Sequence, residues 1–143
     1  MRKVYMDHMS TTPTDPRVVE EMLPFFTENF GNPSSHLHSY GLRAKKAVDE
    51  ARAKVADLIN AKPEEIIFTF TGSESNNLAL RGLALANRDK GKHIIISEVE
   101  HYSVLYTARE LEKDGFRVSY IKVDKDGLIN PEDVAKADRK SVV

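Results

Sequence analysis

The sequence predicts an α/β protein, an incomplete parallel or mixed sheet flanked by helices. Two observations lead there. Short β-branched or aromatic runs at residues 66–70, 93–97 and 116–123 alternate with stretches whose apolar residues recur every three or four positions. The first run also passes through Gly72-Ser73 directly into a helical pattern. About three core strands are expected against the usual five or six of a sheet, so one sheet edge needs covering by something else.

The elements follow in order. Val4-Tyr5-Met6 reads as a short extended piece leading into the polar loop 7–13. Asp15 is an N-cap candidate with Pro16 at the first helical position, and Pro24 kinks or ends that helix. Gly31-Asn32-Pro33-Ser34-Ser35 is dense in turn formers and reads as a loop. Across residues 38–59, Ala44, Ala47, Val48, Ala51, Val55, Leu58 and Ile59 mark a long amphipathic helix. Pro63 breaks it, and residues 66–70 form the first core strand. Ser73 is the expected N-cap of a helix continued by Leu78, Ala79, Leu80 and Leu83. The strand at 93–97 is expected to lie parallel beside the first. A helix with Val104, Leu105, Ala108 and Leu111 follows, stopped by Gly115. The strand at 116–123 places Val118, Tyr120 and Val123 on one face. Residues 124–127 make a turn, and Asn130-Pro131-Glu132-Asp133 starts a last helix. The tail 138–143 stops as the next element should begin.

The 143 residues are 41% apolar and 30% charged, a composition that suits a folded globular chain with a real core. A net charge of −1 provides no global field to recruit nucleic acid or a membrane surface. No apolar run approaches a membrane span and the opening lacks a signal-peptide core, so a cytoplasmic protein is expected. With no cysteine there is no disulfide, thiolate metal site or thiol nucleophile on this chain.

Chemistry concentrates at two places. After Gly72-Ser73, the free N–H groups and positive dipole end of a helix make a phosphate site. The same dipeptide also fits an ordinary strand-to-helix turn, and neither G-x-G-x-x-G nor a P-loop pattern is present. His101, after the strand at 93–97, should emerge at the carboxyl edge of the sheet, where ligands of open α/β sheets bind. A histidine there can equally be a helix cap, and a helix start favours the neutral ring. His36 and His38, with His8 and His93, lack the convergent spacing of a metal site, so no metal is assigned. Lys45, Lys46, Lys90 and Lys92 read as solvated faces. Asp7 and Glu100 have no partner at a known distance. Asn76 and Asn77 read as capping or packing residues.

Four motifs in order resemble one family. Val4-Tyr5-Met6-Asp7 through Ser10-Thr11-Thr12-Pro13 resembles a "YLDxxATTP" start, and Phe30-Gly31-Asn32-Pro33-Ser34-Ser35 with His38 and Gly41 a "GNPSS..H..G" loop. Residues 68–77 are similar to "FTSGATESxN", and residues 92–101 to "KHIIxSxxEH". These are motifs of the cysteine desulfurases, pyridoxal-phosphate enzymes of the aminotransferase class V group. The resemblance implies the N-terminal part of a fold-type I large domain, with residues 1–15 as an N-terminal arm and 16–143 as the incomplete cofactor-binding domain. It implies that Gly72 and Ser73, replacing an Ala-Thr pair, donate to the cofactor phosphate. His101 would stack on the pyridine ring and assist proton transfer, with Ser10 and Thr11 near the substrate amino acid. The implied reaction takes sulfur from L-cysteine, leaving alanine and an enzyme persulfide that supplies iron–sulfur scaffold proteins.

The departures shape the expectation. Phe70 stands where the family has a small residue, and Met9-Ser10 alters the "SATTP" start. Family members are roughly two to three times as long, a large domain with a smaller one. The Asp partner of the ring nitrogen, the Schiff-base Lys and the persulfide Cys are therefore expected beyond Val143. The tail 137–143 follows the family pattern poorly, which favours an altered reading frame. The chain alone is expected to be inactive, completed by a complementary C-terminal chain or by self-association. The other reading is a non-catalytic binding or scaffold protein derived from the same fold. A generic phosphate-ligand enzyme using His101 lacks a completing acid, base or metal.

Overall fold

A computed structural model describes residues 3–139 and divides the chain into two compact units, Met1–Ile67 and Phe68–Val143. In the first unit residues 3–7 carry no regular secondary structure and lead into a turn at residues 8–10. Helix α1 (Pro16–Met22) starts as expected: the Asp15 carboxylate accepts from the Arg17 N–H at 2.9 Å. The Arg17 side chain pairs with it at 2.7 Å and holds Asp15 below the usual carboxylate range. Pro24 ends α1 and opens a single turn, α2 (Pro24–Thr27). Helix α3 (Ser39–Leu58) is capped by His38, whose Nδ1 accepts from the Gly41 N–H at 3.2 Å. His38 therefore serves the helix start. The turn-rich loop presses on that start, for a Cβ on Gly41 would lie 1.9 Å from the Ser35 carbonyl oxygen. After α3 the chain takes a left-handed residue at Asn60 (φ 55°) and a 3₁₀ turn at Pro63–Glu65. The Arg52 guanidinium on α3 then donates to the Ile66 carbonyl.

Residues 66–70 are extended at their start but pair with no strand among the described residues. The expected first core strand is thus corrected, together with its pairing to 93–97. A strand is defined by its partner, and here Ile67, Phe68 and Phe70 stay exposed.

The second unit carries the sheet. Helix α4 (Gly72–Ala86), strand β1 (His93–Ser97), helix α5 (Tyr102–Lys113), strand β2 (Arg117–Ile121) and helix α6 (Pro131–Arg139) follow in order. The two strands pair in parallel with His93 opposite Arg117 and Ser97 opposite Ile121. The α/β class stands, with two paired strands rather than three among the described residues. Thr107, Ala108 and Leu111 form the buried stripe of α5, with Ile96, Phe116 and Ile121 in the same unit's core. Gly115, at φ 88°, ends α5 as expected. On β2 the buried apolar residue is Ile121. Tyr120 is half-exposed and donates its hydroxyl to Glu112 at 3.1 Å. Val123 lies outside the strand in an isolated antiparallel bridge to Ile129. Asn130 caps α6 through the Glu132 N–H. Residues 140–143 of the tail lie outside the described residues.

Candidate functional site

Two helix starts in the second unit build the site. The cap of α4 is Thr71 and not Ser73. Thr71 is extended (φ −147°, ψ 159°), and its Oγ1 accepts from the Glu74 N–H at 3.1 Å. The Glu74 carboxylate accepts from the Phe70 N–H at 2.6 Å, one residue before the cap. The cap moved because the helix begins two residues earlier than the Gly-Ser reading assumed, so Gly72 and Ser73 occupy its first turn. Among the described residues their N–H groups make no hydrogen bond, and a Cβ on Gly72 would meet nothing within 4 Å. Free donors and an open Cβ position at Gly72 thus stand at the positive end of a fifteen-residue helix.

His101 caps α5, with its Nδ1 accepting from the Ser103 N–H at 3.2 Å and lying 2.8 Å from the Ser103 hydroxyl. Two asparagines tie the helix starts together. Asn76 Nδ2 donates to the Ser103 hydroxyl at 2.8 Å. Asn77 Nδ2 donates to the Ser73 carbonyl at 2.9 Å, while its Oδ1 accepts from Thr107 Oγ1 at 2.9 Å. Ser73, Asn77 and His101 consequently line one open cavity of ≈ 320 Å³ with Tyr102, Tyr106 and Arg81. Tyr102 and Tyr106 stack at 5.4 Å, and Arg81 pairs with Asp114 at 3.4 Å. Glu110, on the same wall, is held below its usual range by Lys113, with Arg81 adding to the effect.

Ser10 and Thr11 belong to the first unit. There the Ser10 and Thr11 N–H groups donate to the Asp7 carbonyl at 3.0 and 3.3 Å. The Tyr5 hydroxyl donates to the carbonyls of Asp7 and Thr11, which fixes the turn. A second cavity of ≈ 310 Å³ in the second unit is walled by Leu80, Leu83, Ile94 and Phe116 beside His93. His93 lies 2.8 Å from the Ser119 hydroxyl across the strand pair, and burial pushes its pKa down. Among the described residues no group of three His, Cys, Asp or Glu side chains converges on a metal position.

An aminotransferase class-V family model matches residues 4–142. The chain belongs to the aminotransferase class-V family. The class-V chain is 54% identical over 136 residues to the cysteine desulfurase IscS of Clostridium botulinum (strain Kyoto / Type A2), covering 95% of this chain and 34% of that one. It is 48% identical over 143 residues to the putative cysteine desulfurase IscS 1 of Bacillus subtilis (strain 168), covering 100% of this chain and 38% of that one. Among solved structures it is similar to a NifS-like protein, with a TM-score of 0.82 and 38% identity over 89% of this chain and 35% of the other. SspA in complex with cysteine gives a TM-score of 0.79 and 41% identity over 88% and 36%. The class-V chain thus spans about a third of the length of the relatives it matches.

Sequence reasoning missed Ser103 and Thr107 and gave Asn76 and Asn77 only a capping or packing role. The available signal was two adjacent asparagines in the second turn of a helix, where they are poor formers and need a partner to earn their place.

Proposed function

We propose that this class-V chain is the N-terminal portion of a cysteine desulfurase, carrying the phosphate cradle and stacking histidine of a pyridoxal-phosphate site. The observation that carries the reading is one cavity lined by both Ser73 and His101. The cofactor fits the donor set: free Gly72 and Ser73 N–H groups and the Ser73 hydroxyl suit a phosphate dianion, and the open space beside Gly72 leaves room for it. His101 offers a flat ring for the heterocycle. When bound, pyridoxal phosphate supplies an electron sink for chemistry on an amino acid such as L-cysteine. Ser10 and Thr11 act on the substrate side, and an iron–sulfur scaffold protein is the downstream acceptor of the sulfur.

These 143 residues by themselves hold the cofactor weakly and do not turn over cysteine. Sulfur abstraction needs an activated thiolate, and the chain has no cysteine. A complementary polypeptide bearing that thiol and a cofactor-linking lysine restores the activity. The test titrates the purified chain with pyridoxal phosphate and with unphosphorylated pyridoxal, then adds L-cysteine. Tighter binding of the phosphorylated form without sulfide release is expected. Equal affinity for the two would sink the cradle, and sulfide above the buffer level would sink the claim of inactivity.

A further inference from the structure

The two nitrogens of His101 have unequal surroundings. Nδ1 faces the first turn of its own helix, where the Ser103 N–H points at it from 3.2 Å. A backbone N–H can only donate, so Nδ1 must be an acceptor and cannot carry the ring's proton. The Ser103 hydroxyl, 2.8 Å away, has its own orientation set from behind. Asn76 Nδ2 donates into that oxygen at 2.8 Å, which turns the hydroxyl proton toward the imidazole. Asn76 and Ser103 are half-buried, whereas the His101 ring is exposed and lines the cavity shared with Ser73.

We infer that Ser103, oriented by Asn76, is a positioning residue that locks His101 as the neutral Nε2–H tautomer, so that the ring presents an N–H donor and not a basic lone pair at Nε2. The relay runs Asn76 N–H to Ser103 O–H to His101 Nδ1, and two donors on one edge fix the ring plane as well as the proton. The consequence for the proposed chemistry is directional. In its neutral form His101 gives a hydrogen bond from Nε2 to an acceptor on the ligand. With the proton on Nε2, the ring's one remaining lone pair is the one at Nδ1 that the Ser103 contacts occupy. The importance of this for turnover rests on the cofactor reading above, but the tautomer itself does not.

The test is long-range proton–nitrogen correlation spectroscopy on the nitrogen-15-labelled chain near neutral pH, with His101→Gln identifying the signals. An unprotonated, hydrogen-bonded Nδ1 and a protonated Nε2 are expected. In Ser103→Ala the Nδ1 resonance should move downfield as it loses a donor. Ser103→Thr should restore it, and Asn76→Ala should move it part of the way. Backbone amide spectra of each variant report whether the fold is kept. A protonated Nδ1 in the parent chain, or an Nδ1 resonance indifferent to Ser103→Ala in a folded variant, would overturn the inference. Adding pyridoxal phosphate separates the two ideas: a ring that keeps its tautomer but never responds to the cofactor counts against the proposed function alone.

Discussion

Replacing Thr71 by Ala tests where α4 begins. The structure gives this side chain one role, accepting the Glu74 N–H at 3.1 Å, while the Glu74 carboxylate accepts from the Phe70 N–H beside it. Removing an N-cap hydroxyl costs about 1 kcal/mol, within a range of roughly 0.5–2 kcal/mol. Ser73→Ala should cost no more than about 0.5 kcal/mol, as for a surface change away from any cap, because no hydrogen bond to its hydroxyl is present among the described residues. Affinity should show the reverse order. A hydrogen bond to a charged phosphate contributes about 1.5–3 kcal/mol, so Ser73→Ala should weaken pyridoxal-phosphate binding by roughly ten- to a hundred-fold while leaving pyridoxal binding unchanged. Urea denaturation reads the first quantity and a spectral titration the second. A Ser73→Ala variant that loses more stability than Thr71→Ala would put the cap back at Ser73 and refute the geometry of the site.

Three further outcomes follow from the packing and the titration. Gly41→Ala drives a Cβ to 1.9 Å from the Ser35 carbonyl oxygen, so the loop must shift, at a cost of about 1–3 kcal/mol or more in the urea midpoint. Leu111→Ala empties a fully buried position on α5 and should cost about 2–5 kcal/mol. Burial and then the Arg117 charge push the His93 pKa below its unperturbed 6.5, with Asp138 opposing them. Below 6.5 the unfolded chain takes up a proton that folded His93 resists. This contribution to stability is therefore full above 6.5 and is lost as pH falls through the folded pKa. Urea midpoints compared at about pH 7.5 and about pH 5.5 should show a drop that His93→Gln reduces.

Local chemistry was the legible part of the sequence. Asp15-Pro16, Gly115, the turn at residues 124–127 and Asn130-Pro131 each act within a few residues, and each does in the structure what its covalent geometry favours. Residues 66–70 failed for the opposite reason. Their composition suits a buried strand, but a ladder needs a partner that composition does not supply. At Thr71-Gly72-Ser73 two hydroxyls compete for one cap, and the Glu74 N–H is held by Thr71. Of the candidate site, the sequence singled out Ser73 from the Gly-Ser helix start and His101 from its place after β1. Both line one cavity, although among the described residues no strand leads to Ser73. Asn76, Asn77, Ser103 and Thr107 were not, since their role exists only once α4 and α5 lie side by side.

The central claim is that one ligand touches Ser73 and His101 together. Amide and imidazole resonances of the labelled chain, followed through a pyridoxal-phosphate titration, test it most directly. The account predicts that the Gly72 and Ser73 amides and the His101 ring shift along one shared binding curve, with Ser73→Ala weakening both responses. Separate curves for the two, or a response confined to surface lysines, would contradict it.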